Sequence, residues 1–223
     1  MESNTKIQLS ALEMELVNNT SWIIAKHNII KKVYELFGEL SESMKAELEK
    51  LAGALPAAVI NKSAKISRGE NYKSLPYVIL DYPAFFDKEN TVAIRTMFWW
   101  GHFFSITLQV KGNFKPSMKD NIAVFLGELK KEQLYVCVND TEWEHHFEPD
   151  NYIESGVISE TDFKKIYDRN FFKTGNKMPL TDWDNAAPFL MKNFRTMIQL
   201  LHANFLNGEI GLSPVFPIIG SDL

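Results

Sequence analysis

The clearest periodicity of the chain lies between residues 102 and 110. Apolar residues alternate there with the polar residues Ser105, Thr107 and Gln109. Strict alternation predicts a β-strand with one buried face and one face in water. Such a strand is typical of an antiparallel sheet, because parallel sheets are covered on both faces.

Further strands are predicted on both sides of this one. Residues 92–97 are mostly apolar and rich in β-branched side chains, and residues 77–82 end at Pro83, which cannot donate to a sheet ladder. Three successive strands with short links predict an antiparallel meander. The apolar run at residues 134–138 predicts a fourth, short strand.

Helical periodicity flanks these strands. Ser10 with Glu13 and Ser159 with Asp162 have the spacing of helix N-terminal capping boxes. Gly38 is predicted to end the second helix, so that a third begins near Ser41. The predicted helices cover, approximately, residues 9–18, 22–37, 41–51, 113–131, 159–171 and 185–207. Residues 53–75 and 173–185 are predicted to be loops.

These elements predict an α+β fold in a single domain of residues 1–223. An antiparallel sheet, a meander of at least three strands, is covered on one face by helices, and the N-terminal and C-terminal helices pack together. Within the domain we expect a helical segment at 1–52, the sheet core with one helix at 76–138, and the C-terminal helices at 159–206.

Composition narrows the classes of function. The chain has a net charge of -4, so it lacks the basic footprint of a nucleic-acid-binding protein. No window approaches the roughly 18 uninterrupted apolar residues of a membrane span, and the first residues have no apolar signal region. Cys137 is the single cysteine, which excludes an intrachain disulfide and fits a reducing compartment. We therefore expect a cytoplasmic protein without nucleic-acid or membrane partners.

The link between the second and third predicted strands contains two adjacent indoles, Trp99 and Trp100. Hairpin turns are usually built from Gly, Asn, Asp or Ser, and only Gly101 is of that kind here. Either a helix covers the turn and both indoles belong to the core, or one indole lines a pocket. Large aromatic side chains are mostly buried, which favours the first interpretation.

A basic cluster precedes the first predicted strand. Between residues 62 and 73 it contains four cations and one acid, Glu70. Such a cluster beside aromatic walls could hold a small anionic or aromatic ligand, although a phosphate-loop motif is absent and a solvated loop is the simpler interpretation. The residues predicted to line this site are Arg68, Tyr72, Arg95, Trp99, Trp100 and His102.

The densest group of potential metal ligands lies at residues 142–150. His145 and His146 are adjacent, so on a strand they would point to opposite faces. Glu142 has helical spacing to either histidine, but a third ligand would have to come from elsewhere, His102 or His202 being candidates. No metal-site or cofactor motif is complete, so the sequence predicts neither a metal nor a cofactor.

Three short series carry a resemblance: residues 68–72 (RGENY), 80–83 (LDYP) and 95–101 (RTMFWWG). In these the chain resembles a family of bacterial proteins with no assigned activity. The resemblance covers the central third of the chain. Because that family has no known mechanism, it implies no catalytic role for any residue.

The function predicted first is binding of a small anionic or aromatic ligand, or of a protein partner, near Arg68, Trp99 and His102. An enzyme using carboxylate and histidine acid–base chemistry is the first alternative, although Asp81 has an alternative structural role in a cross-strand pair with Arg95. An interaction or scaffolding protein, with homo-oligomer formation left open, is the second. The enzyme candidates are Glu70, Asp81, His102, Glu144, His145 and His146; the contact-patch candidates are Trp99 with Trp100 and Phe171 with Phe172.

Overall fold

The described chain begins with helices, continues with four consecutive strands, and mixes helices and strands after them. A computed structural model describes residues 7–50, 57–115 and 121–207. The strands are β1 Lys65–Tyr72, β2 Leu75–Phe86, β3 Thr91–Trp99, β4 Phe103–Lys111, β5 Tyr135–Cys137, β6 Tyr152–Glu154 and β7 Phe171–Pro179. The helices are α1 Ala11–Asn18, α2 Thr20–Glu49, α3 Ala57–Ile60, α4 Ile122–Lys131, α5 Glu160–Tyr167 and α6 Ala186–Asn207.

The strands form one antiparallel sheet of seven strands in the order β1-β2-β3-β4-β7-β5-β6. The first four strands are consecutive neighbours, which confirms the predicted meander. The assignment of residues 53–75 to a loop is wrong for β1, whose charged residues obscure the strand pattern. The assignment of residues 173–185 to a loop is wrong for β7, which lies between β4 and β5.

Helices cover one face of the sheet, here called the helix-covered face. The N-terminal and C-terminal helices α2 and α6 pack against each other, as predicted, and Arg195 Nε lies 2.9 Å from Glu47 Oε1 across their contact. The largest fully buried side chains include Phe37 of α2 and Phe194 of α6. The α+β class and the helical layer predicted from the sequence are therefore confirmed.

The long helix α2 runs through Gly38 without a break, so the predicted helix end at Gly38 and the separate helix from Ser41 are wrong. A glycine inside a helix costs only about 1 kcal/mol relative to alanine. The buried stripe continues on both sides of it, with Phe37, Leu40 and Met44 almost completely buried. Burial of this stripe outweighs the cost of the glycine.

Strand β4 corrects a second expectation. Its polar residues Ser105, Thr107 and Gln109, predicted to face water, are 2%, 4% and 7% exposed. The face that carries them, here called the polar face, is crossed by residues 138–151, here called the cover segment. The cover segment, which contains no helix, therefore buries the face of β4 whose polar residues were predicted to face solvent.

Helix starts agree well with the predicted caps. The Ser10 hydroxyl accepts a hydrogen bond from the Glu13 backbone N–H, and the Glu13 carboxylate accepts one from the Ser10 backbone N–H, which completes the capping box. The Ser159 side chain accepts from the Asp162 backbone N–H in the same way. Of the helix predicted at 113–131, α4 covers Ile122–Lys131, whereas Gly112–Phe114 form a 3-10 turn and Lys115 is extended. Residues 116–120 lie outside the described part. Among the described residues no helix has the length and apolarity that crossing a membrane requires.

Candidate functional site

A buried lysine holds the cover segment on the polar face. Lys173 of β7 is 2% exposed, and its Nζ donates hydrogen bonds to the backbone carbonyls of Glu142 at 2.8 Å and Glu144 at 2.7 Å. Burial lowers the pKa of Lys173 to about 8. Two carbonyl dipoles therefore replace part of the water that the ammonium group has lost.

Tyr72, at the end of β1, provides a second anchor. Its hydroxyl accepts hydrogen bonds from the backbone N–H groups of His145 at 2.7 Å and His146 at 3.0 Å, and donates to Glu144 Oε2 at 2.8 Å. Burial raises the pKa of Tyr72 to about 12. The phenol therefore stays protonated and keeps the donor that the Glu144 contact needs.

An ion pair across β2 and β3 lies beneath the cover segment. Asp81 and Arg95 are register partners, and Arg95 donates from Nε to Oδ1 at 2.7 Å and from Nη2 to Oδ2 at 2.9 Å. This confirms the predicted cross-strand pair. The bidentate geometry fixes the guanidinium plane.

His145 extends this pair. Its Nε2 lies 3.2 Å from Arg95 Nη1. Arginine can only donate, so His145 Nε2 accepts and the ring is neutral. Burial, followed by the charges of Lys173 and Arg95, lowers the pKa of His145 to about 2. His145 therefore acts in this network as a hydrogen-bond acceptor.

The neighbouring His146 has different partners. It is buried, and its Nε2 lies 3.3 Å from Glu144 Oε2. Within the residues that the structure describes, no three His, Cys, Asp or Glu side chains are placed to hold one metal ion. The side chain of His202, a candidate third ligand, lies outside the described part, whereas His102 is exposed at the turn between β3 and β4.

A cleft opens beside Arg95 at the margin of the polar face, with a volume of about 420 Å³. Its floor contains the Asp81–Arg95 pair, and its aromatic walls are Phe86, 43% exposed, and Trp143, 56% exposed. We call it the basic cleft, and it is lined by Lys62, Ser63, Lys65, Asp81, Ala84, Phe86, Arg95 and Trp143.

Three cations and one carboxylate are therefore among the residues that line the basic cleft. Lys65 lies on β1 opposite Asp81 in the register of the sheet, whereas Lys62 Nζ lies 5.6 Å from the centre of the Phe85 ring, which packs against the helix-covered face. Neither lysine has a carboxylate partner among the described residues. The excess positive charge contrasts with the net charge of -4 of the whole chain.

The residues predicted to line a site fall into two groups. Tyr72, Trp99 and His102 form one series of ring contacts, because Trp99 lies 5.1 Å from Tyr72 and stacks on His102 at 3.6 Å. Arg95 joins this group through His145, whose ring lies 5.4 Å from that of Tyr72. Trp99 itself is 3% exposed, which agrees with a packed indole.

Arg68 and Trp100 lie away from that group. Arg68 is exposed on β1 opposite Val78, whose side chain belongs to the helix-covered face. Trp100 is half-buried on the same side, in contact with Trp22 at 6.4 Å and Phe98 at 5.5 Å. The structure thus brings together Tyr72, Arg95, Trp99 and His102 and separates the other two predicted residues.

The acid–base candidates are also divided. Glu70 pairs with Lys26 of α2 at 3.0 Å, away from the polar face. Asp81 and the Glu144–His146 group share the network around Arg95, whereas His102 stands apart from it. Sequence reasoning missed Phe86 and Trp143 as cleft walls and Lys173 as an anchor, because their proximity depends on contacts between distant parts of the chain.

The predicted contact patches are not exposed surfaces. Phe171 and Phe172 are 6% and 1% exposed and belong to opposite faces of β7, so this pair is buried on both sides of the sheet. Cys137 is buried, as expected, and burial raises the pKa of its thiol.

Comparison with known proteins adds no family assignment. No family model matches the chain, and no curated protein or solved structure is significantly similar to it. The resemblance to a bacterial family therefore stays a prediction, and the function has to be argued from the geometry alone.

Proposed function

We propose that the protein binds a small aromatic anion in the basic cleft. The observation that carries this proposal is the combination of Lys62 and Lys65, which have no carboxylate partner among the described residues, with two exposed rings, Phe86 and Trp143. Small-molecule sites typically combine apolar walls with a few convergent polar groups.

Each part of the cleft has a distinct role in this proposal. Lys65 attracts the negative group of the ligand, the charge of Lys62 adds to the local positive potential, and Phe86 and Trp143 contact the ring of the ligand. Arg95 uses three of its five N–H donors on Asp81 and His145, so two remain for a carboxylate or phosphate. Asp81 prevents Arg95 from turning toward solvent.

The cover segment supports the same function. Trp143 lies between Glu142 and Glu144, the two residues whose carbonyls accept hydrogen bonds from Lys173. Anchoring on both sides limits the movement of the Trp143 backbone. A wall held in this way loses less conformational freedom when a ligand binds.

This proposal keeps the ligand class predicted from the sequence and changes its location. Arg95 is common to both sites, whereas Trp99 and His102 lie outside the basic cleft. Acid–base catalysis has weaker support, because His145 is held neutral and both carboxylate oxygens of Asp81 are engaged by Arg95. A protein partner in place of a small ligand is tested by the same variants.

Isothermal titration calorimetry with phenyl phosphate tests the proposal, with benzyl alcohol as the matched neutral probe. We expect saturable binding of phenyl phosphate only. Lys65→Gln should weaken that binding about tenfold, because it removes one charge of the cleft. Lys88→Gln, which changes an exposed lysine in the turn between β2 and β3, should leave it unchanged.

Equal heats for phenyl phosphate and benzyl alcohol would contradict the anionic part of the proposal. Equal affinity in the wild type and in Lys65→Gln would show that the anion binds elsewhere. Trp143→Ala separates the contribution of the aromatic wall from that of the positive charge. It should reduce the affinity for phenyl phosphate and leave the weaker affinity for inorganic phosphate unchanged.

A further inference from the structure

A second cavity lies on the helix-covered face of the sheet. It has a volume of about 410 Å³ and opens between the C-terminal half of α2, residues 60–64 and Tyr82 of β2. We call it the α2 cavity. Its volume falls within the range of about 300–1,000 Å³ that is usual for small-molecule sites. Lys62 and Ser63 line both this cavity and the basic cleft, and the rest of its lining is different.

The side chain of Tyr82 indicates that this cavity holds a ligand. Tyr82 belongs to the main hydrophobic cluster and is 4% exposed, yet its hydroxyl has no hydrogen-bond partner among the described residues. A buried phenol usually finds such a partner, because a polar group that leaves water unpaired costs free energy. The hydroxyl is therefore free to bond a molecule that enters the α2 cavity.

Three charged side chains of α2 line the same cavity. Glu42, Lys45 and Glu49 follow each other at spacings of three and four residues, so they share one stripe of the helix. Such spacings allow ion pairs within a helix, and Glu47 with Lys50 forms one at 3.1 Å. Among the described residues, however, none of the three cavity side chains has an ion-pair partner. Charges of both signs are therefore available to a ligand.

The charges of the α2 cavity are balanced. Burial raises the pKa of Tyr82, and the negative charges of Glu49 and Glu42 raise it further, so both carboxylates act on the same phenol. Lys62 adds a second cation to that of Lys45, and its Nζ lies over the Phe85 ring on this side of the sheet. Two carboxylates and two ammonium groups complement a ligand that carries one charge of each sign.

We propose that the α2 cavity binds a zwitterionic α-amino acid. The ammonium group of the ligand pairs with Glu42 and Glu49 and donates a hydrogen bond to the Tyr82 hydroxyl. The ligand carboxylate pairs with Lys45 and Lys62. A purely cationic or purely anionic ligand would satisfy only one half of this set and would leave the other half facing a like charge.

The apolar part of the lining suits an amino acid with an aliphatic side chain. Ile60 and Ala64 line the cavity beside the charged residues, and Ile60 also packs against the main hydrophobic cluster. Burial of an aliphatic side chain against these residues adds to the affinity that the charges provide.

Isothermal titration calorimetry of the full chain with L-leucine tests the proposal. The matched probes are 3-methylbutylamine, which is leucine without its carboxylate, and 4-methylpentanoate, which is leucine without its ammonium group. We expect saturable binding of leucine and at least about tenfold weaker binding of each probe, because each loses one of the two sets of opposite charges.

Variants locate the binding. Tyr82→Phe keeps the buried ring and removes the hydroxyl, so it should weaken leucine binding about tenfold. Glu42→Gln combined with Glu49→Gln should remove the preference for leucine over 4-methylpentanoate, because the ammonium group then lacks its partners. Glu35→Gln, at an exposed carboxylate of α2 outside the cavity lining, should bind leucine like the wild type.

Three results would overturn the proposal. The first is the absence of saturable leucine binding by the wild type. The second is equal affinity for leucine and 3-methylbutylamine, which would indicate a simple amine site. The third is unchanged leucine affinity in both Tyr82→Phe and the double glutamine variant, which would show that leucine binds outside the α2 cavity.

Discussion

The two faces of the sheet are buried by different chemistry. On the helix-covered face, α2 and α6 contribute apolar side chains such as Phe37 and Phe194, and the contacts are hydrophobic. On the polar face, Lys173 donates hydrogen bonds to two backbone carbonyls of the cover segment, and the Tyr72 hydroxyl accepts from two of its backbone N–H groups. Phe147 of the segment adds packing in a smaller apolar cluster. The first arrangement is suited to stability, whereas the second fixes the positions of individual groups at the margin where the basic cleft opens.

The largest expected effect comes from the helix-covered face. Phe37→Ala removes a completely buried ring of α2 and should lower the free energy of unfolding by about 3–5 kcal/mol. Val124→Ala, at an exposed position of α4, should lower it by less than about 0.5 kcal/mol. Urea titration followed by circular dichroism measures both. Similar losses in the two variants would show that α2 does not form the main hydrophobic layer.

A smaller and more local effect is expected on the polar face. Lys173→Met keeps the apolar stem but leaves the carbonyls of Glu142 and Glu144 without their donor, which should cost about 2 kcal/mol. Hydrogen exchange should become faster in residues 138–151 and stay unchanged in α2. Lys164→Met, at an exposed lysine of α5, is the control. If the cover segment exchanged at its wild-type rate, Lys173 would not be its anchor.

The smallest effect concerns acid stability. His145 has a pKa of about 2 in the folded protein and 6.5 as its ordinary value, so between these values the unfolded chain binds a proton that the folded chain does not. Stability from this group is complete above pH 6.5 and is lost as pH falls. Between pH 7 and pH 5.5 the loss should be about 1 kcal/mol.

The variant His145→Asn should abolish this part of the pH dependence, and His27→Asn, at an exposed position of α2, should retain it. Urea titrations at the two pH values measure the difference for each protein. An equally steep decline in His145→Asn and in the wild type would mean that other groups cause the acid sensitivity.

Local patterns account for the elements that the sequence predicts well. Alternation in β4, β-branched residues in β3 and the caps at Ser10 and Ser159 all act over a few residues. The Asp81–Arg95 pair was predictable because adjacent strands of a meander place specific residues opposite each other. The wrong prediction of a helix end at Gly38 also rests on a local signal, which is outweighed by packing along the whole of α2.

Contacts between distant residues account for what the sequence could not predict. β7 reads as a polar loop because it contains Lys173, Thr174 and Asn176, and Lys173 is buried only after the cover segment crosses the sheet. The basic cleft likewise needs Trp143 to lie beside Lys62 and Lys65, which are about eighty positions earlier in the chain. The charge pattern of the sequence identified Lys62 and Lys65, but neither periodicity nor spacing could predict that Phe86 and Trp143 form the walls of the cleft.

The outermost strand β1 has one further consequence. It forms one end of the seven-stranded sheet among the described residues, and it carries Lys65, Arg68 and Glu70 within six positions. Charged side chains at an open edge discourage a foreign strand from adding to the ladder and starting a fibre. Arg68, which sequence reasoning assigned to ligand recognition, is placed to protect the protein against this form of aggregation.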